Sequence, residues 1–240
     1  RGSELFAADG WEVERCPIAG DLSEARSKIA DPGAYSVIFG FRPYWENFTA
    51  SIEHVRNRVV LIGERSETDG IACITCDETQ TIRLALDHLC RQGYRKTGLI
   101  CANLHSNLES LRAAAWRSLC MESGLSFAWC RDCCFDLELP PLAPTEPYLR
   151  DLFAKLRRSG RVHELDSVIT PDDDTAAQWI GTLLDHGIRV PEDFAVVSIG
   201  NTSLARLFRP QITSIDHNFE THLTTALAIL ESRAAGHADC

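Results

Sequence analysis

The run GIRVPEDFAVVSIGNT, Gly187 to Thr202, decides the fold. It opens on a glycine suited to the left-handed end of a helix. A Pro-Glu-Asp turn follows, and then Phe194-Ala195-Val196-Val197-Ser198-Ile199, which is apolar at all but one position. The run closes on the polar knot Gly200-Asn201-Thr202. A strand that alternates apolar and polar residues has one wet face, whereas one that is apolar throughout is covered on both, as in a parallel sheet between helices. In such sheets ligands sit just past the carboxyl ends of the strands. The knot after Ile199 is therefore one wall of a candidate site, in an enzyme, a binding domain or a scaffold.

Outward from this run the chain alternates between strand and helix patterns. Apolar, β-branched runs predict strands at Trp11–Cys16, Ser36–Phe41, Arg58–Gly63, Ile71–Cys76, Thr97–Ala102, Ser126–Cys133, Asp166–Thr170 and Phe194–Ile199. Between them, apolar residues recur every three or four positions. Ile82, Ala85, Leu86, Leu89 and Cys90 form one stripe, ending at Gly93. Leu108, Leu111, Ala115 and Leu119 form a second before Gly124, Leu149, Leu152, Phe153 and Leu156 a third before Gly160, and Ala176, Ala177, Ile180, Leu183 and Leu184 a fourth before Gly187. Strand and helix in alternation predict an α/β fold with parallel sheets covered on both faces. Glu138–Pro147 reads as a proline-rich surface loop.

The composition fits an ordinary globular chain: 240 residues, 45% hydrophobic and 24% charged. No apolar stretch approaches the roughly 18 residues that span a bilayer, and RGSELFAADGWEVERC lacks the layout of a signal peptide. The expectation is a cytoplasmic protein without a membrane partner. The net charge of −10 disfavours direct binding to a phosphate backbone, so any DNA contact would be made by a module outside this chain. The ten cysteines lie mostly inside apolar runs, where a thiol acts as a small hydrophobe. Cys73/Cys76 and Cys130/Cys133 have C-x-x-C spacing, but on a strand residues i and i+3 face opposite ways. Buried, reduced thiols are the expectation, with no metal and no cofactor.

Enzyme signatures are missing. There is no glycine-rich nucleotide loop, no nucleophile elbow and no His-Glu-x-x-His, and the eight histidines show no metal-ligand spacing. Pro171-Asp172-Asp173-Asp174 reads first as a helix N-terminus, where carboxylates cap free N–H groups, with a magnesium site as the competing reading. The chain is not expected to be an enzyme.

Several stretches resemble the effector-binding domains of LacI/GalR-type transcriptional regulators, with their periplasmic-binding-protein-like fold. Ile74–Asp77 is similar to that family's Val-x-x-Asp strand end. His88-Leu89 and Gly93-Tyr94-Arg95-Lys96 resemble its next helix end and turn. Arg112 and Trp116 stand as in its Arg-x-x-Gly-[Phe/Trp] helix, with Ala115 in place of glycine. DSVITPDDDTAA and GIRVPEDFAVVSIGNT, with PQITSIDHNF following, resemble its last two strand–turn motifs. The likeness runs from Trp11 to about Arg233.

The resemblance implies two Rossmann-like lobes with a ligand cleft between them, the first being 1–94 with 218–240 and the second 95–217. It implies that the family's first strand precedes Arg1 and its last follows Cys240. It also implies a small polar effector contacted from several walls of the cleft, with a sugar as the leading class. Arg112, Asp172, Asn201, His217, Gln80 and Asp77 are the residues it brings to the cleft. Arg112 is expected to pair with Asp172 and face Asn201, the alternative being a solvated helix face. Asp77 is either a contact or the cap of the helix beginning near Thr79, with Gln80 then the better contact. His217 is either a contact or a packed interlobe residue, and Asn201 either a contact or the holder of its own turn. Two positions depart from the family: Gly200 replaces an aspartate and Asp172 an asparagine. A homodimer is implied too, with Phe48, Ile52 and Leu207 as apolar candidates for its surface. An exported solute-binding protein of the same fold is the alternative function.

Overall fold

The computed structural model describes residues 6–7, 10–16, 23–39, 53–63, 65–66, 69–140 and 143–236. The chain forms two compact units, Arg1–Cys76 with Asn218–Cys240, and Asp77–His217. The boundary expected after Tyr94 thus falls after Cys76. The cause is packing: helix α2 (Glu78–Arg91) lies on helix α3 (Asn107–Glu122) and on the sheet of the second unit.

In the first unit, helix α1 (Ser23–Ala30) precedes β1 (Ser36–Phe39), and β2 (Val59–Ile62) and β3 (Ala72–Ile74) complete a parallel sheet in the order β1-β2-β3. Every residue of β2 is buried. Val59 and Leu61 join Ile29, Ile38, Val55 and Ile71 on one face, while Val60 and Ile62 meet Ala226, Leu227 and Leu230 of helix α8 (Phe219–Ala234) on the other. Two-sided burial is the physical reason that this run lacks alternation. Trp11–Cys16 forms no strand; it is irregular chain whose Trp11 ring meets Tyr35 edge-on at 5.3 Å. Phe48, Ile52 and the end of the expected strand at 40–41 lie outside the described residues.

The second unit carries β4 (Thr97–Cys101), β5 (Cys134–Asp136), β6 (Ser167–Ile169), β7 (Ala195–Ile199) and β8 (Thr213–Ile215), all parallel, in the order β5-β4-β6-β7-β8. Around them are α2, α3, α4 (Phe127–Asp132), α5 (Glu146–Arg158), α6 (Asp173–Asp185) and α7 (Ser203–Leu207). Every residue of β4, β6 and β7 is buried. Trp116 and Trp179 are fully buried in the core, and Phe153 meets Trp179 edge-on at 6.0 Å.

Helix ends follow local chemistry. After α2, Gly93 adopts φ 100°, its N–H donates to Cys90 O, and Tyr94 N–H donates to Leu89 O. After α6, Gly187 sits at φ 77°, its N–H donates to Leu184 O, and Ile188 N–H donates to Leu183 O. These are the left-handed closures that a glycine takes without strain.

One expected strand, Ser126–Cys133, is a helix followed by β5. Ser126 Oγ accepts from Trp129 N–H at 3.2 Å and caps α4, which puts Cys130 and Cys133 one turn apart, both in the core. Among the described residues the cysteines are free thiols. Burial pushes the Cys120 thiol up to about 12 and the Cys133 thiol up to about 11, so both stay protonated at neutral pH. Among the described residues no helix is long and apolar enough to cross a membrane.

Candidate functional site

The strand order of the second unit reverses between β4 and β6. The chain moves from β4 outward to β5, then returns to β6 on the other side. At such a switch point two loops diverge beyond the carboxyl edge and leave a crevice. After β6 come Thr170, Pro171 and Asp172; after β4, Ala102 leads toward α3.

Arg112, in the second turn of α3, is only 3% exposed. Its Nε donates to Glu78 Oε2 at 2.6 Å, and its Nη1 to Glu109 Oε1 at 3.1 Å and to Pro171 O at 3.2 Å. Nη2 lies 3.2 Å from His217 Nε2. Glu109, 1% exposed, also accepts from Ala102 N–H through Oε2 at 3.3 Å. This cluster thus joins the carboxyl ends of β4 and β6 to the segment after β8. It also corrects the expected pairing: the carboxylates that hold Arg112 are Glu78 and Glu109, and Arg112 is a buried residue rather than a solvated one.

Asp172 is committed to α6 as its N-cap, accepting from Thr175 N–H at 2.7 Å. The capping reading of Asp172–Asp174 therefore holds for its first member. Asp77 caps α2 in the same way, accepting from Gln80 N–H at 3.0 Å, and the Gln80 side chain is exposed. Asn201 sits at φ 51°. Its Nδ2 donates to Asp216 Oδ2 at 3.0 Å, its N–H donates to Ser214 Oγ at 2.8 Å, and its Oδ1 accepts from Arg206 at 3.3 Å. Its partners are those of a turn holder, as one of the two readings had it. His217 is half-buried.

Two residues of this edge, and the role of a third, escaped the sequence reading. Glu78 and Glu109 are the acidic partners of Arg112, and only the three-residue spacing of Glu109 and Arg112 on one helix hinted at them. The third is Asp173. Its Oδ1 accepts from Ser198 Oγ at 2.6 Å and Ser214 Oγ at 2.7 Å, and its Oδ2 from Thr202 N–H and Oγ1, both at 2.7 Å. It ties α6 to β7, β8 and the knot after Ile199. Gly200 fits this design: a Cβ there would stand 3.4 Å from Asp173 Oδ2, on a backbone at φ 136° that side chains rarely adopt.

Burial raises the Glu109 carboxyl above its ordinary value, against the opposing pull of Arg112 and the Ala102 N–H. Folding therefore takes up a proton at Glu109 just above pH 4.5, and the stability so gained is lost as pH rises through the folded value. Glu109→Gln cannot take up that proton. Urea midpoints measured from pH 4.5 upward should fall more steeply for the native protein than for the variant; parallel curves would remove Glu109 as the titrating group.

Residues 86–239 match the family model of the periplasmic binding protein-like domain. The transcriptional regulator GalR of Streptococcus thermophilus is 24% identical over 189 residues, covering 77% of this chain and 54% of that protein. GalR of Escherichia coli K12 is 26% identical over 165 residues, covering 67% and 46%. The chain spans about half the length of these relatives. Among solved structures, the transcription regulator CcpA of Lactococcus lactis superposes with a TM-score of 0.78 at 18% identity, covering 96% of this chain and 82% of that one. A LacI family regulator from Lactobacillus casei with bound sucrose superposes with a TM-score of 0.72 at 19% identity, covering 100% and 86%. At these identities the structural likeness establishes the fold.

Proposed function

Because the chain belongs to the periplasmic binding protein-like domain family, in the form found in LacI/GalR-type regulators, we propose that it senses a small polar effector, a sugar or a related metabolite, for a transcriptional regulator. The observation that carries this reading is the buried polar cluster of Arg112, Glu78, Glu109 and His217 at the switch point of the second sheet. A guanidinium fork, carboxylates and an imidazole give the mix of donors and acceptors that a polyol needs. The Lactobacillus casei neighbour was solved with sucrose and also with glucose, which supports a sugar here. The resemblance supplies the rest: an effector held in an interlobe cleft shifts the balance between two conformations, and DNA is bound by a module outside this chain. A homodimer belongs to the same reading, and Leu207, 75% exposed, is an apolar residue available to it. The regulator reading also carries a cytoplasmic location and no turnover of the ligand.

A thermal-shift series with sucrose, glucose, galactose and related sugars tests the sensor role. A true effector raises the melting temperature with concentration, by an amount equivalent to about 2.7 kcal/mol at a hundred times its Kd. A panel without any such response sinks the sugar reading. The coding sequence upstream of Arg1 separates a regulator from an exported solute-binding protein: a helix-turn-helix supports the first, an export signal the second.

A further inference from the structure

We infer that the effector carries a positively charged amine, so that the site favours amino sugars over neutral and anionic ones. This rests on the proposed sugar-sensing role and narrows it. Glu78 is 5% exposed, and its two carboxylate oxygens are unequal. Oε2 accepts from Arg112 Nε, while Oε1 is buried and has no hydrogen-bond partner among the described residues. An orphaned buried carboxylate oxygen is costly, because it has given up water and received nothing in return. The Glu78 carboxylate lies within 4.8 Å of a His217 ring nitrogen, where the segment after β8 meets the ends of β4 and β6.

Charge points the same way. Glu78 and Glu109 share the single guanidinium of Arg112, and the charge of Asp172 also acts on Glu109. Among the described residues, Glu78, Glu109 and Asp172 thus gather around one guanidinium, and Glu78 with Asp172 exceeds its charge even where Glu109 holds a proton. Arg112, already engaged by two of them, is poorly placed to receive a phosphate or carboxylate ligand. A neutral hydroxyl could donate to Glu78 Oε1 but would leave the excess negative charge standing. An ammonium supplies both the donor and the compensating charge, and charge-assisted hydrogen bonds are about twice as strong as neutral ones. Asp172 adds to this charge, at a position where an asparagine would cap α6 equally well.

The test is calorimetric titration of the chain with D-glucose, D-galactose, their 2-amino analogues, N-acetylglucosamine and glucose 6-phosphate. The amino sugar should bind at least about tenfold more tightly than its neutral parent and its N-acetyl form, and the phosphate should not compete. Asp172→Asn keeps the cap and should erase much of that preference; Glu78→Gln should do the same where it folds. A neutral or phosphorylated sugar binding as well as the amine, or an amine preference unchanged in Asp172→Asn, overturns the inference and leaves the sugar-sensing role standing. Failure of every compound to bind overturns both.

Discussion

Arg112→Ala is expected to destabilise the second unit by about 3–5 kcal/mol, the usual cost of removing one partner from a buried ion pair. The change leaves Glu78 and Glu109 facing each other without their shared cation, and it empties the space that ties α3 to Pro171. For a chain of this size the melting temperature should fall by roughly 10 °C. Removing one of the stranded charges should recover part of the loss, so Arg112→Ala with Glu78→Gln should be less damaged than the sum of the two single changes. A variant melting within about 2 °C of the native protein would show that the cluster carries little stability. Because the arginine is structural as well as a candidate contact, its part in binding is better read from Arg112→Lys, which keeps a charge but not the planar fork.

Asp173→Ala is the second large effect. The carboxylate is 2% exposed and takes four hydrogen bonds from Ser198, Ser214 and Thr202. Alanine would leave the Ser198 hydroxyl buried in the middle of the sheet without its acceptor, and would release the knot after Ile199. A loss of about 3 kcal/mol or more is expected. Burial pushes the Asp173 carboxyl upward, but the bonds from Ser198, Ser214 and Thr202 outweigh it and hold its value below 3.8. Its contribution is therefore complete above pH 3.8 and drains away as pH falls through the folded value. Melting curves from pH 5 down to pH 2.5 should show the native protein losing stability faster than Asp173→Asn. An equal acid slope in both would assign the acid sensitivity to other carboxylates.

The features that the sequence determined are those set within a few residues of themselves. Apolar runs such as Val59–Ile62 and Ala195–Ile199 are strands buried on both faces, and nothing more distant is needed to see it. Gly93 and Gly187 end their helices because each, with the residue after it, closes bonds to carbonyls three to five residues back. Asp77 and Asp172 cap helices by reaching only three residues forward. Ser126 does the same, yet FAWCRDC fits strand and helix patterns alike, and a run so short has too little periodicity to choose between them. The seam between the units was set by packing: α2 could follow β3 into either unit by sequence, and its buried face against α3 decided it. The site depended on distance most of all. Arg112 and Trp116 were legible from a motif, but the carboxylate on Arg112 Nε comes from a residue 34 positions away, and Ser198 and Ser214 reach Asp173 across 25 and 41. Charges and hydroxyls at such separations acquire partners only when the parallel strands have aligned their carboxyl ends, because a side-chain hydrogen bond acts over about 3 Å and leaves no periodic trace along the chain.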